Sequence, residues 1–305
     1  MTIRKASILA CSLAALISLV YGQRPTETPS WAPKAAPFKY VPPNKPHTKL
    51  SEVKAKHKGE ANWTEPIVSD NLLHSDYIYS APGSKVSKRF HSDTREWWIV
   101  MAGQIRFEIE GQDPFVATKG SMVQVPYQTI YSMETIGNEP SLRFEVNIAN
   151  AHTLYPGSET PPKTPGLDFI SVTLRRKPAP YDNGNKPHIN LYELAKSKEK
   201  YSGGRFVHDD RAVSNIIYGY AKNLPPYDPK NLGHYHPESS EYWLVMAGQI
   251  QYPIEGQDMI IASEGDVVYV PPFTFHAPRF YGDGPSCRLA INGYTNIAHL
   301  FEAPH

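Results

Sequence analysis

The sequence predicts an all-β protein built from two barrels, with only a few short helices. Three features support this fold class: a long internal repeat, short runs of strand-forming residues between turn residues, and few long segments with helical periodicity. The 29 prolines and 20 glycines among 305 residues favour frequent chain reversals. Each repeat is therefore expected to form a closed antiparallel barrel or a jelly roll.

An internal repeat with a constant shift of 145 residues divides the chain into two domain-sized copies. Residues 96–105 read EWWIVMAGQI, and residues 241–250 read EYWLVMAGQI. Residues 109–113 and 254–258 both read IEGQD at the same shift, 241 − 96 = 145, and no gap interrupts the match. A period of this length indicates two domains, because solenoid repeats are only about 20 to 50 residues long.

Strand and turn signals alternate within each copy. In the second copy, residues 242–247 form an apolar run that Gly248 interrupts, and residues 249–254 alternate between apolar and polar. Residues 255–258 read EGQD, a turn signal, and residues 259–262 begin the next strand. The pattern predicts a series of hairpins.

Composition also places the segments outside the copies. The clearest helical pattern runs from Leu191 to Tyr201, with Asn190 as candidate N-cap, and we expect this helix to close one barrel or to pack between the two. The predicted organisation is a signal peptide (1–22), a proline-rich extended arm (23–46), an N-terminal barrel (47–150), a proline-rich connector (151–189) and a C-terminal barrel (190–305).

The first 22 residues have the pattern of a secretory signal peptide. Arg4 and Lys5 precede a short apolar stretch that ends near Gly22, where we expect cleavage. The stretch is shorter than the roughly 20 apolar residues of a membrane span, and a lipid anchor at Cys11 would leave too short an apolar core before it. The sequence therefore predicts export, to the periplasm of a bacterium or into the medium by a eukaryote, with no integral membrane span after cleavage.

Charge and cysteine content exclude two further classes. Removing residues 1–22 lowers the count of Lys and Arg from 31 to 29, against 30 Asp and Glu, so the mature net charge is about −1. This balance argues against a nucleic-acid partner, which usually requires a basic face. Only Cys287 remains after cleavage, so no internal disulfide is predicted.

Three histidines and one glutamate of the second copy form a candidate metal site. His234 and His236 are one residue apart, and on a strand both imidazoles face the same side because side chains alternate with period two. Glu241 can return on the neighbouring strand, and His276 follows the apolar run 267–270. Three imidazole nitrogens and one carboxylate oxygen are a ligand set that divalent transition metals accept.

These spacings resemble those of the cupin superfamily. Its first motif reads Gly, five residues, His-x-His, three or four residues, Glu, six residues, Gly. His234, His236, Glu241 and Gly248 fit this spacing, whereas Asp228 stands where the family has the opening Gly.

The second cupin motif reads Gly, five residues, Pro-x-Gly, two residues, His, three residues, Asn. Gly265, Pro271 and His276 fit it, while Phe273 replaces the second Gly and Phe280 replaces Asn. The resemblance implies a bicupin, with two double-stranded β-helix barrels, and it implies that the four candidate residues bind the metal.

The first copy keeps only two of the four candidate ligands. The positions that the shift assigns to the ligands are, in chain order, Arg89, His91, Glu96 and Tyr131. We expect an ion pair between Arg89 and Glu96 to replace the metal, with Tyr131 supplying a hydroxyl group. The first barrel would then be structural, or would hold an anionic ligand on Arg89.

The second copy is thus expected to hold one divalent transition metal ion, with Fe, Mn, Cu, Ni and Zn all compatible with its ligands. A six-coordinate ion keeps about two positions open, for a substrate and for dioxygen or water. Aromatic residues are predicted to face these positions, which suits a small oxygenated, partly apolar or aromatic molecule; they are Tyr252, Tyr269, Phe273, Phe275 and Phe280. No catalytic residue is assigned.

The resemblance implies a metal-dependent enzyme, most plausibly a dioxygenase-type oxidoreductase acting on a small molecule. A decarboxylase or lyase is the nearest alternative, although no acidic proton donor can be identified from the sequence. A bicupin that only binds or stores a small ligand is a second alternative, but such members tend to lose the ligands that this chain keeps. Related bicupins often associate, so a homodimer is compatible with the resemblance.

Overall fold

The structure is a computed structural model that describes residues 28–197 and 204–302. The predicted signal peptide, 1–22, lies outside the described residues, as does the end of the predicted helix at Tyr201. The chain divides into two units after Ala32. The described part of the first unit contains no helix or strand, and the second unit holds both barrels.

Strands make up most of the regular structure in the described residues. The elements up to the second helix are β1 (His47–Thr48), α1 (Leu50–Lys56), β2 (Trp63–Ser69), β3 (Leu73–Ser80), β4 (Lys85–His91), β5 (Glu96–Ala102), β6 (Gln104–Ile109), β7 (Phe115–Thr118), β8 (Ser121–Val125), β9 (Tyr131–Ile136), β10 (Ser141–Ile148), β11 (Thr153–Leu154), β12 (His188–Asn190) and α2 (Leu191–Ser197). The later elements are β13 (Gly204–Asp209), β14 (Ala212–Tyr220), a 3-10 helix (Ala221–Asn223), β15 (His234–Tyr235), β16 (Glu241–Ala247), β17 (Gln249–Tyr252), β18 (Ile260–Ser263), β19 (Val267–Val270), β20 (Arg279–Tyr281), β21 (Pro285–Asn292) and β22 (Leu300–Phe301).

These elements confirm the predicted all-β fold with few helices. The hairpin series predicted for the second copy is present as β16, β17 and β18. The side chain of Asn190 caps α2, since its Oδ1 accepts hydrogen bonds from the backbone N–H groups of Tyr192 and Glu193 at 3.0 and 3.3 Å. No helix within the described ranges has the length and apolar character that a bilayer crossing demands.

Each copy forms a barrel of antiparallel strands around its own apolar core. In the first barrel, a six-stranded sheet in the order β12-β8-β5-β10-β3-β2 faces a five-stranded sheet in the order β11-β4-β9-β6-β7. In the second, a six-stranded sheet in the order β1-β19-β16-β21-β14-β13 faces the smaller sheets β18-β17-β20 and β15-β22. Trp98 and Phe107 lie in the first core, and Trp243 and Tyr252 lie in the second.

A third and larger apolar core lies between the barrels. Neighbouring residues on one strand point to opposite faces, so Trp97 and Tyr242 face this shared core while Trp98 and Trp243 face the barrel interiors. The hydroxyl groups of Ser75 and Tyr242, one from each barrel, lie 2.7 Å apart within it. The central strands of the two six-stranded sheets, such as β5 and β16, are therefore buried on both faces.

The strand that precedes each copy joins the sheet of the other copy. Strand β1, which precedes the first copy, pairs with β19 of the second barrel, with His47 opposite Val268. Strand β12, which precedes the second copy, pairs with β8 of the first barrel, with His188 opposite Val123. The predicted domain limits at residues 47 and 190 take no account of this exchange.

The described part of the predicted arm runs along the second barrel from Pro33 onward. The Lys34 ammonium lies 3.1 Å from the carboxylate of Glu255, and the Phe38 ring packs 5.5 Å from the ring of Phe273. This segment contains no helix or strand before β1.

Candidate metal centre

The four predicted ligands of the second barrel converge on one point. His234 lies on β15, His236 follows that strand, Glu241 begins β16, and His276 lies between β19 and β20. Their ligand atoms are all within 4.8 Å of one another. Backbone hydrogen bonds join His234 and His276 in both directions, at 3.1 and 2.9 Å, so the loop that carries His276 is held against β15.

Backbone carbonyl groups fix two of the three imidazole rings. Nδ1 of His236 donates to the carbonyl of Ala298 at 2.8 Å, and Nδ1 of His276 donates to that of Thr274 at 2.9 Å. A carbonyl can only accept, so each ring carries its proton at Nδ1 and can turn the lone pair of Nε2 inward. The two Nε2 atoms lie 3.0 and 3.1 Å from Oε2 of Glu241. With the rings in this tautomer, a cation between the Nε2 atoms and the carboxylate oxygen would satisfy all of these acceptors.

The remaining groups complete a metal-binding set. Nε2 of His234 is buried without a hydrogen-bond partner, 3.9 Å from the Glu241 carboxylate. Burial lowers the pKa of His234, which keeps its imidazole neutral and able to coordinate. Burial alone raises the pKa of Glu241, but its interactions with the three histidines outweigh it and hold the pKa well below 4.5. Three imidazoles around one carboxylate fit a single divalent transition metal ion.

Gly233 provides the turn that delivers His234. Its φ is +79°, and a Cβ at this position would lie 2.1 Å from the carbonyl oxygen of His276. We expect Gly233→Ala to separate the two ligands and to weaken metal binding by about tenfold or more, the range found when groups that orient ligands are disturbed. A chelator competition titration measures this change.

Gly256→Ala is the matched control for this substitution. Gly256 has a φ of +74° but open space around its Cα, so the change adds only backbone strain of about 1–2 kcal/mol. Metal affinity should stay at the wild-type value. Equal losses in both variants would mean that general destabilisation, not the contact with His276, weakens binding.

Two of the five predicted wall residues lie inside the second barrel. Tyr252 and Phe280 pack in its core with Trp243, whose ring centroid lies 5.3 Å from that of His276. The Tyr252 hydroxyl is buried without a hydrogen-bond partner. Their role in substrate binding remains a prediction.

The other three predicted wall residues point away from the ligands. Tyr269 packs against Tyr242 in the core between the barrels, because its neighbours on β19 occupy the barrel interior. Phe273 and Phe275 pack against Tyr235, whose side chain points opposite to the flanking histidines. The structure thus corrects the prediction that these three aromatic residues face the metal.

The tight turn before His276 is formed without glycine. Phe273, at the position of the motif's second Gly, has a φ of +61°, and its N–H donates to the carbonyl of His236 at 2.9 Å. Gln128, the equivalent residue of the first copy, has a φ of +60° and donates likewise to His91. Both copies therefore keep the left-handed turn that the glycine would otherwise provide.

Sequence reasoning missed His299, which lies beside the ligands. Its ring centroid is 4.6 Å from that of His234 and 4.7 Å from that of His236. Strand β22, which follows it, pairs with β15 just as β11 pairs with β4 of the first barrel. If the repeat is extended beyond Asn292 with one extra residue in the second copy, Leu154 aligns with Leu300. This alignment would have placed His299 next to the strand that pairs with β15.

In the first barrel, Tyr131 is the direct partner of the carboxylate. Its hydroxyl donates to Glu96, and Nε of Arg89 donates to that hydroxyl at 2.8 Å. The Arg89 guanidinium lies 3.9 Å from the Glu96 carboxylate, whereas Nε2 of His91 lies 2.9 Å from the same carboxylate. Protein groups therefore surround this carboxylate, and among the described residues only the second-barrel group has the arrangement of a metal site.

A second carboxylate, which sequence reasoning also missed, completes the first-barrel group. Glu145 lies 3.6 Å from Arg89 and 3.8 Å from Arg143, and it accepts a hydrogen bond from the indole N–H of Trp98 at 2.5 Å. The shift places Ala290 at this position in the second copy. The two arginines and the two carboxylates balance each other's charge.

The stability of the first barrel should depend on pH through Glu96. Burial raises its pKa, but the charges of His91 and Arg89 and the hydrogen bonds from His91 and Tyr131 outweigh it and lower the pKa from 4.5 to about 2. A carboxylate with a lowered pKa stabilises the fold fully above 4.5 and loses that contribution as pH falls towards 2. We expect the free energy of unfolding to fall more steeply in wild type than in Glu96→Gln over this window.

Thermal unfolding of both proteins from about pH 6 to about pH 3 measures this difference. The comparison reports on Glu96 together with His91 and Glu145, whose pKa values are raised by the charge of Glu96. Parallel curves would contradict the assigned ionisation of Glu96.

Comparisons with known proteins agree with this fold. The cupin domain family model matches residues 223–292, which include all four ligands. No curated protein sequence shows a significant match. The chain is similar in structure to a cupin 2 conserved barrel domain protein from Leptotrichia buccalis, with a TM-score of 0.55 and 13% identity over 84% of this chain and 96% of that one.

Two enzymes also have a similar structure. One is a variant of oxalate decarboxylase from Bacillus subtilis, with a TM-score of 0.51 and 17% identity over 87% of this chain and 81% of that one. The other is a variant of salicylate 1,2-dioxygenase from Pseudoaminobacter salicylatoxidans in complex with gentisate, with a TM-score of 0.55 and 11% identity over 81% of each chain. The chain therefore has the fold of the cupin barrels and carries a cupin domain with a complete set of metal ligands.

Proposed function

We propose that the protein is a metal-dependent enzyme, an oxidoreductase of the dioxygenase type that acts on a small oxygenated organic molecule. The observation that carries this proposal is the convergence of three imidazoles on one buried carboxylate in the second barrel. A dioxygenase and a decarboxylase are both among the proteins of similar structure, so both reaction classes occur on this fold.

The surroundings of the site favour oxidation over decarboxylation. Loss of carbon dioxide leaves a carbanion that an acid must protonate. The cavity beside the ligands, which Asn292 and His299 line, includes no Asp or Glu among its described residues. Glu241 cannot take this role, since its pKa is held well below 4.5.

The chain's own residues would position the ion and exclude water. A bound ion would supply Lewis-acid chemistry and, for iron, copper or manganese, redox chemistry. The carbonyl groups of Ala298 and Thr274 orient two of the ligand rings, a type of support that tunes metal sites. Trp243 covers the inner side of the group and His299 covers the side next to the cavity.

Metal content and oxygen consumption test the proposed function. We expect about one ion per chain in protein purified without chelator or affinity metal. We also expect oxygen consumption with members of a panel of hydroxylated benzoates. Carbon dioxide release without oxygen consumption would identify the decarboxylase alternative, and no metal after reconstitution with several ions would identify a binding or storage protein.

We propose in addition that the chain is exported and then cleaved after Gly22. The basic start and short apolar stretch of residues 4–22 support this. Protein recovered from the exported fraction should begin at Gln23, and intact chains starting at Met1 in that fraction would contradict the cleavage. Light scattering on the same material tests the homodimer, which should have twice the mass of the mature chain.

A further inference from the structure

A cavity of about 330 Å³ in the second barrel adjoins the metal group. Asn292 and His299 line it, and the ring of His299 contacts the rings of His234 and His236. Arg205 also lines it, from the edge strand of the six-stranded sheet. The cavity thus extends from His299, which contacts two of the metal ligands, to a guanidinium group.

Strand register places Arg205 on the same face of the sheet as the metal group. Arg205 on β13 pairs with Asn215 on β14, which pairs with Ala290 on β21. Directly paired residues point to the same face, and Ala290 belongs to the core inside the second barrel. Glu241 pairs with Asn292, and each lies two residues along its strand from the pair of Trp243 and Ala290. Residues two apart on a strand share a face, so Glu241 and Asn292 face the interior as well.

The amide of Asn292 has an unused donor. The side chain is 6% exposed, and its Nδ2 is buried without a hydrogen-bond partner. In the first barrel the equivalent Asn147 is engaged, because its Oδ1 accepts from Thr94 at 3.2 Å and its Nδ2 lies 3.2 Å from Nε2 of His91. Buried amide donors without partners are rare and costly, and this one lies beside Glu241, closed off from the cavity.

The charge of the cavity indicates the kind of ligand. Arg205 is exposed, and its guanidinium donates to the carbonyl of Thr295 at 3.2 Å. No carboxylate among the described residues pairs with it, and none lines the cavity. A guanidinium fork matches the two oxygens of a carboxylate better than it matches a neutral carbonyl.

We infer that this cavity binds a small substrate through its carboxylate, with the Arg205 guanidinium as hydrogen-bond donor and the rest of the molecule directed towards His299 and the metal group behind it. The inference rests on the proposed function, because it assigns the cavity to that reaction. The volume is near the lower end of the roughly 300–1,000 Å³ found for ligand pockets, so the substrate is a small organic acid with one ring or a short chain.

Benzoate and benzamide provide a matched pair of probes, since they have similar shape and differ in charge. Calorimetric titration of the metal-loaded full chain should show benzoate binding at least about tenfold more tightly than benzamide. Arg205→Gln should weaken benzoate binding by about tenfold or more and leave benzamide unchanged. Metal content should remain that of wild type, since Arg205 is not a ligand.

Arg106→Gln is the charge-matched control. Arg106 is exposed on β6 of the first barrel and pairs with Glu108 at 2.8 Å, so its replacement removes one positive charge far from the cavity. It should bind benzoate as wild type does.

Two outcomes overturn the inference: benzoate binds no more tightly than benzamide, or Arg205→Gln binds benzoate as wild type does. The assay requires no turnover, which separates it from the test of the proposed function. Benzoate binding that depends on Arg205, in a protein that consumes no oxygen, would retain the carboxylate site and reject the oxidoreductase. Oxygen consumption with neutral substrates only would retain the oxidoreductase and reject the carboxylate site.

Discussion

Glu241→Gln should reduce bound metal from about one ion per chain to less than about a tenth, with a corresponding loss of the proposed oxidoreductase activity. Among the described residues, Glu241 is the only carboxylate grouped with the three imidazoles, and its Oε2 lies 3.0 to 3.9 Å from each Nε2. A glutamine amide lacks the negative charge that offsets a divalent cation. The group would keep three neutral donors and lose most of its affinity.

Glu96→Gln is the matched control, because Glu96 occupies the equivalent position in the first barrel. Its partners are Tyr131, His91 and Arg89, so the substitution should lower stability without changing metal content. Elemental analysis of both variants and of wild type provides the measurement. Two ions in wild type, with one lost in each variant, would show that the first barrel also binds metal.

The metal ligands could be predicted from the sequence because they depend on local geometry. His234 and His236 face one side of a strand wherever that strand lies, and the repeat identifies the copy that has lost the set. The spacing also located Glu241 and His276, since hairpin pairing returns them to the same end of the barrel. This prediction required no information about the contacts between the two barrels.

The wall residues could not be predicted in the same way. Strand β19 reads VVYV and is buried throughout, because one face lies in the barrel interior and the other in the core between the barrels. A strand buried on both faces shows no alternation of polar and apolar residues. Tyr269 and Tyr252 are therefore equivalent in sequence pattern, although only Tyr252 lies inside the barrel.

Contacts between distant segments account for the other differences. His299 reaches the site because β22 pairs with β15, some 60 residues earlier. Glu145 could have been noticed, since the shift matches it with Ala290. Its role as a partner of Arg89, however, follows from the distance between the two side chains, which can be measured only in the folded barrel.

The loss of metal binding in the first barrel should be reversible by three substitutions. Arg89→His and Tyr131→His restore the second-barrel ligand types, and Glu145→Ala removes the carboxylate that would otherwise lose its partner Arg89. His91 and Glu96 already stand 2.9 Å apart. We expect the triple variant to bind about two ions per chain, because four ligands of this kind suffice for a divalent transition metal.

Supporting groups for the restored site are already in place. Nδ1 of His91 lies 3.1 Å from the carbonyl of His152, which matches the bond between His236 and Ala298. Thr129 stands where Thr274 supports His276, so its carbonyl can orient a histidine at position 131. Ligand rings held in this way bind metal more tightly.

The reciprocal variant provides the control. His234→Arg, His276→Tyr and Ala290→Glu transfer the first-barrel group to the second barrel, and this protein should bind no metal and remain folded. Elemental analysis and thermal unfolding of both triple variants test the pair. One ion in the restored variant, despite a wild-type unfolding temperature, would mean that the first barrel excludes metal through its shape and not through the charges of Arg89 and Glu145.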